Sequence, residues 1–341
     1  MSGLDNPRGL AFAPNGALYV AEAGVGGRDS CATNGAGEIR CFGLSGAITR
    51  LWKGQQSRIV EGLPSHAVYD HPNPALFPDG SSASGPTDIS FQGTGGAYIT
   101  MGLGGDADFQ AALGGTYSGT LLHMAASGKW RVVADILEHE ENENPGEGAV
   151  DTNPYAVLAE PGGRIVVDAG GNSLLRVAAN GTVETLAVFP PQPNPAFPFG
   201  PPTIESVPTT VARGPDGALY VGELTGFPFL PGLARIFRVV PGQDPEVVCT
   251  GFKTIIDIAF APDGSLLVVE NATNPFPPPP PFKPNTGRLS RVDLEDHCTI
   301  TPVMEGLNRP TSVAVGPDGA IYVTNNSVTA GAGQVLRVDL P

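Results

Sequence analysis

The stretch Val207-Pro208-Thr209-Thr210-Val211-Ala212-Arg213-Gly214-Pro215-Asp216-Gly217-Ala218-Leu219-Tyr220-Val221-Gly222-Glu223 decides the fold. Apolar and polar residues alternate on both sides of Gly-Pro-Asp-Gly, and period two is the signature of a half-buried strand. Pro-Asp-Gly is a tight turn: proline presets φ and glycine accepts a positive one. The stretch therefore reads as a β-hairpin. The same hairpin recurs at 6–22, 85–99, 153–168, 256–270 and 309–323. A third strand follows each: Glu38-Ile39-Arg40, Leu122-His123-Met124, Leu175-Arg176-Val177, Phe237-Arg238-Val239, Ser290-Arg291-Val292 and Leu336-Arg337-Val338. A fourth is visible in most units, as at 182–186. Four antiparallel strands repeated six times predict an all-β chain, a single six-bladed β-propeller over 1–341. Met1-Ser2-Gly3-Leu4-Asp5-Asn6-Pro7 aligns with Met304-Glu305-Gly306-Leu307-Asn308-Arg309-Pro310, and the chain ends on a third strand. The closing blade is therefore expected to lack its outer strand.

Composition narrows the function. The 341 residues carry 19 Lys and Arg against 34 Asp and Glu, a formal charge of −15. An acidic chain lacks the basic face that phosphates require, so no nucleic acid is expected as a partner. Nor is membrane insertion, since no apolar run is long enough to span a bilayer. The four cysteines permit two disulfides or stay as buried thiols. Cys31 and Cys41 lie in one unit and can pair; Cys249 and Cys298 lie on outer strands of adjacent units, where a Cα separation above about 7 Å would exclude a bridge.

Turns between first and second strands are short. The connections 23–36, 64–85, 102–118, 136–152, 190–206, 224–233 and 271–286 are long, and topology sends them to one face. Loops on a rigid scaffold are the usual seat of binding. Two chemical characters meet there. Glu22, Asp168, Glu223 and Glu270 end second strands, in a column with Met101 and Asn325, and would ring the channel mouth. They read either as ligands for a divalent metal such as calcium or as solvated loop carboxylates. Asp88 and Asp257, on innermost strands, either line the channel or bond backbone amides. The second character is the Phe-Pro segments 189–202, 226–231 and 275–282. Phe197, Phe199, Phe227, Phe229, Phe276 and Phe282 form an apolar patch for a flat aromatic small molecule or a protein partner, or else a lid of loops packed on one another.

His66, Tyr69, Asp70 and His71 form the best acid/base cluster, with spacing that matches no specific motif. His123 occupies the arginine column of the third strands and reads as structural; His139 and His297 read as solvated. No organic-cofactor motif and no hydrolase signature occurs.

The Pro-x-x-Val-Ala-x-Gly-Pro-Asp-Gly-x-Leu-Tyr-Val rhythm is similar to NHL-type and lactonase-type propellers. A closer resemblance, over essentially the whole chain, is to the ScyD/ScyE family, carried by Asn6 through Gly24, Gly102-Leu-Gly-Gly-Asp106, Asn153-Pro-Tyr155, Asp168-Ala-Gly-Gly-Asn172 and Gly222-Glu-Leu-Thr-Gly-Phe-Pro-Phe229. That resemblance implies a periplasmic or extracellular propeller connected with the biosynthesis of scytonemin, an indole-phenol dimeric pigment. It implies an enzyme for oxidative coupling of aromatic monomers, with Asn153 and Tyr155 joining the phenylalanines as substrate-binding residues. The alternatives are a non-catalytic ligand- or protein-binding propeller and a metal-dependent lactonase-like hydrolase. The last requires acidic or amide ligands after the strand-opening proline, where this chain has Arg8, Thr87, Tyr155, Thr209 and Thr311.

Overall fold

Each repeated hairpin forms the two inner strands of one blade: Pro7–Phe12 with Leu18–Glu22, Pro86–Phe91 with Gly96–Met101, Pro154–Glu160 with Gly163–Asp168, Pro208–Arg213 with Leu219–Glu223, Ile255–Phe260 with Leu266–Glu270, and Val313–Val315 with Ile321–Asn325. These pairings come from a computed structural model that describes residues 1–75, 77–93, 96–115, 117–274 and 284–339. Six four-stranded antiparallel blades stand in a ring, the expected six-bladed β-propeller. Successive inner strands touch, and the first meets the sixth, which closes the ring around a central channel.

The turns behave as their residues require. Gly217, Gly264 and Gly319 take φ of 82°, 88° and 77°, open to glycine at no steric cost. The aspartate of each turn accepts an amide two residues on, from Ala218, Ser265 and Ala320. Its other oxygen meets the third-strand arginine of the same blade: Asp216 with Arg238, Asp263 with Arg291, Asp318 with Arg337. Second strands are buried end to end, as in Leu219–Glu223 and Leu266–Glu270, and their side chains pack against the neighbouring blade. Burial of each Val or Leu there contributes roughly 1.5–3 kcal/mol, which makes the blade-to-blade seams the core.

Three expectations are corrected. The closing blade does not lack its outer strand: Ser2–Leu4 pairs antiparallel with Gly333–Val338, because Leu4 buries its side chain beside Val335 and Leu10. In blade 1 the third strand is not Glu38-Ile39-Arg40. Strands Ile39–Trp52 and Gln55–Val68 each run 14 residues, and only their far halves belong to the blade. Tyr19 pairs with Arg50 as Tyr220 pairs with Arg238, so Arg50 fills the arginine column. The near halves rise above the loop-rich face with Ser30–Thr33 and Ser81–Ser84, so much of 23–36 and 64–85 is sheet rather than loop. Finally, both disulfides form. Cys31 and Cys41 are cross-strand partners with Cα atoms 4.0 Å apart. Cys249 and Cys298 are 5.5 Å apart: Cys249 lies on the outer strand Glu246–Phe252 of blade 4, whereas Cys298 lies in the turn before Thr299–Leu307 and not on the outer strand of blade 5.

Two short helices, Ala107–Ala112 and Ile136–Glu143, sit in the long connections, capped by Asp106 and Asp135. Among the described residues no helix is long and apolar enough to cross a membrane.

Candidate functional site

Five inner strands share one irregularity. The register slips just after the first residue, between Pro7 and Leu10, Pro86 and Asp88, Pro154 and Ala156, Pro208 and Thr210, and Ile255 and Asp257. A bulge re-aims the side chain it carries. Here it turns Arg8, Thr87, Tyr155, Thr209 and Ile256 toward the channel, with Thr311 completing the ring. The threonines bind the blades together: Thr87, Thr209 and Thr311 donate to the carbonyls of Pro154, Ile255 and Pro7 in the next blade, each at 2.8 Å. One layer deeper come Gly9, Asp88, Ala156, Asp257 and Ser312, with Thr210 bonded to Asp257. Gly9 must be glycine, because a Cβ there would stand 2.7 Å from Asp88 Cα.

Asp88 and Asp257 do both things expected of them. They line the channel, and they accept amides from the next blade, Val157 to Asp88 and Val313 to Asp257, both at 2.8 Å. Asp257 also accepts from the Thr210 and Ser312 hydroxyls. Burial pushes both carboxyls up, Asp88 well above the usual carboxylate range with Asp257 adding to the effect.

Above this layer, on the loop-rich face, lies a cavity of about 190 Å³ whose lining includes Arg8, Asn153, Tyr155, Leu224, Phe229 and Asn271. The buried Arg8 guanidinium donates to the carbonyls of Ser327 and Ala83, and among the described residues it has no carboxylate partner. Burial lowers the pKa of Arg8, and burial and then Arg8 bring the nearby Arg309 down to about 10. Burial raises the Tyr155 phenol to about 12, so it stays protonated. Asn153 Oδ1 is buried without a hydrogen-bond partner. The cavity therefore combines a cation, a phenol and an amide with an aromatic and an aliphatic wall.

Of the expected substrate-binding residues, Asn153, Tyr155 and Phe229 are brought together here. Phe227 lies 6.3 Å from Phe229, ring to ring, and Phe199 lies 5.5 Å from Phe227. Phe197, Phe199 and Phe227 are 59%, 39% and 42% exposed, so these rings form an open patch rather than a packed lid. Asn194 stiffens its base by donating to the carbonyls of Phe199 and Pro201. Phe276 and Phe282 lie outside the described residues.

The four carboxylates expected to form a metal ring do not meet. Glu22, Asp168, Glu223 and Glu270 are fully buried, which also corrects the reading as solvated groups. Glu22 binds Arg58, Glu223 binds Arg235 and Glu270 binds Arg288. Glu22 and Glu270 also accept the amides of Asp5 and Lys253, which lead into their own inner strands. Asp168 accepts those of Asn153, Gly170 and Gly171. Among the described residues no group of three or more His, Cys, Asp or Glu is placed to hold a metal ion.

The cluster expected to be catalytic is likewise dispersed. His66 is buried in strand Gln55–Val68, where its Nδ1 accepts from Arg40 Nε at 2.9 Å and its ring meets Phe109. Burial and then Arg40 hold it well below the usual histidine range. The Tyr69 hydroxyl donates to the Val25 carbonyl. Asp70 pairs with Arg28 at the surface, and His71 Nδ1 accepts the Asn73 amide. None of the four lines the channel-mouth cavity. His123 stacks on Tyr98, as a structural member of its column would, and His139 meets the Thr185 hydroxyl. The role of Arg8 was missed; the one signal for it is that an arginine stands where three other units, at Thr87, Thr209 and Thr311, place a threonine.

No protein family matches the chain, and no curated protein matches it. Solved structures do. A protein assigned as an oxidoreductase (glucose dehydrogenase) from Thermus thermophilus is 18% identical over 99% of this chain and 98% of its own, with a TM-score of 0.57. The PQQ-bound aldose sugar dehydrogenase from Streptomyces coelicolor is 16% identical over 99% and 95%, with a TM-score of 0.57. A protein assigned as a gluconolactonase is 11% identical over 100% and 92%, with a TM-score of 0.51. At these identities the likeness shows the β-propeller fold.

Proposed function

We propose that this propeller binds a planar aromatic small molecule bearing an acidic oxygen, such as a phenol, at the channel mouth. One observation carries the reading: Arg8, without a carboxylate partner among the described residues, shares a cavity with Asn153, Tyr155 and Phe229. In this reading Phe229 and Leu224 take the ring face while Arg8 and Asn153 take the oxygen. The patch of Phe197, Phe199 and Phe227 extends the aromatic surface outward. Aromatic contacts contribute about 0.5–1.5 kcal/mol each beyond burial. Two disulfides suit an oxidising compartment, which supports a periplasmic or extracellular setting.

The reaction implied by resemblance to the ScyD/ScyE family is oxidative coupling of indole-phenol monomers. Joining two monomers by a carbon–carbon bond removes two protons and two electrons, and the electrons pass to an external oxidant such as dioxygen. The propeller's part is to bind and align the monomers. The test is calorimetric titration with an indole-phenol monomer, together with product analysis under air. Arg8→Lys and Phe229→Ala are each expected to weaken binding roughly tenfold, the size of one lost aromatic or charge-assisted contact. Unchanged affinity in both variants overturns the site. Binding without dimer formation leaves a binding protein and removes the coupling activity.

A further inference from the structure

The shoulder of blade 3 carries carboxylates that the channel mouth does not use. Asp168 Oδ1 takes its three amides, whereas Oδ2 is buried without a partner. Glu140, on the helix Ile136–Glu143, is 2% exposed, and its Oε2 is also buried without a partner. Both oxygens face one point: a Cβ on Gly171 would stand 2.7 Å from Glu140 Oε2 and 3.2 Å from Asp168 Oδ2. A Cβ on Gly170 would stand 3.0 Å from Asp151 Oδ1. Neither glycine has a positive φ, so closeness and not backbone conformation requires them. A cavity of about 200 Å³ opens beside this point, lined by Glu140, Asp151 and Glu205 and, among the described residues, by no cationic side chain. Buried carboxylates without a positive partner are strongly unfavourable unless they take up a proton or meet a cation.

We propose that a hard divalent cation of the calcium type binds at this shoulder, held by Glu140 Oε2 and Asp168 Oδ2 with Asp151 beside them. Two converging carboxylates are enough for a weak site, because calcium completes its shell of oxygens with carbonyls and water. The ion ties the helix Ile136–Glu143 to blade 3. Through Asp168 it also steadies Asn153, whose amide Asp168 accepts and whose side chain lines the channel-mouth cavity. The site stands independently of which ligand that cavity takes.

The experiment uses the full chain, stripped with a chelator and titrated with calcium chloride, with heat and melting temperature both recorded. One ion per chain is expected, with a dissociation constant on the order of 10⁻⁴ to 10⁻³ M, as in extracellular modules. The melting temperature should rise with calcium. Glu140→Gln, which keeps shape and removes charge, should weaken binding at least about tenfold, since even outer-shell losses cost that much. Asp151→Asn, at an exposed position that preserves the fold, should weaken it less. The proposal is overturned if the wild-type chain gives neither heat nor a melting shift up to about 10 mM calcium, tenfold above the weakest expected constant. It is also overturned if both variants bind as the wild type does.

Discussion

Blades 1, 4 and 5 place a glutamate at the end of the second strand, and blade 3 places an aspartate there. The glutamates each meet an arginine: Arg58, Arg235 and Arg288. Asp168 meets only amides, with Glu140 and Asp151 nearby. The column is the same in sequence and in register, and the chemistry is opposite. A buried acid beside an arginine is a finished structural element. A buried acid beside other acids is unfinished, and that is where a cation is expected. Position in a repeat thus fixes where a group sits, while its neighbours across the blade fix what it does.

The largest effect should come from breaking a finished pair. Glu270→Ala leaves Arg288 largely buried without its partner and removes the acceptor for the Lys253 amide. Urea unfolding should show a loss of about 3 kcal/mol, the lower end for a buried pair with one partner removed. A loss below about 1 kcal/mol would make blades 1, 4 and 5 no different in kind from the surface pairs.

A second test uses a buried cation that leans on a neutral group. Arg40 donates to His66, whose folded pKa lies well below 6.5. The unfolded chain gains a proton on this histidine below about pH 6.5 that the folded chain refuses. The contribution of His66 is therefore complete above that value and is lost as pH falls, by up to about 1.4 kcal/mol per pH unit. His66→Gln should flatten the pH dependence of the unfolding free energy between about pH 6.5 and 5. An unchanged slope would mean that His66 takes up a proton while folded.

The smallest effect should come from the turn-to-strand pairs. Arg291 and Asp263 are 44% and 49% exposed, and exposed pairs gain little from their charges. Arg291→Ala should leave the urea midpoint within experimental error. A clear drop would show that this outer ladder of charges bears on stability as the buried pairs do.

The fold was legible because its signals are local. Pro-Asp-Gly flanked by alternating residues is a hairpin whatever surrounds it, and six copies require a ring. The tandem glycines at 170 and 171, the arginine column and the chain of phenylalanines could likewise be read in order. The extension of blade 1 was misread because its strands alternate as a blade strand does, and only pairing separates Arg40 from Arg50. His66 looked reactive beside Tyr69, Asp70 and His71, but the strand Gln55–Val68 that holds it ends before the other three, and Asp70 takes a φ of 51° in the turn that follows. One of the four went into the interior and the others to separate partners.

What the sequence determined alone is the number of blades, the inner hairpin of each and the face that carries the long connections. All three follow from period, turn chemistry and connection length. Tertiary structure decided the rest. The register slips at the inner strands turned Arg8 and Tyr155 into the channel, because a bulge depends on how two strands pair and not on either strand's composition. The partners of Glu22, Asp168, Glu223 and Glu270 come from elements up to 36 residues away, as Arg58 does for Glu22. Whether a buried charge is satisfied is a property of the space around it, and that space exists only once the blades have closed.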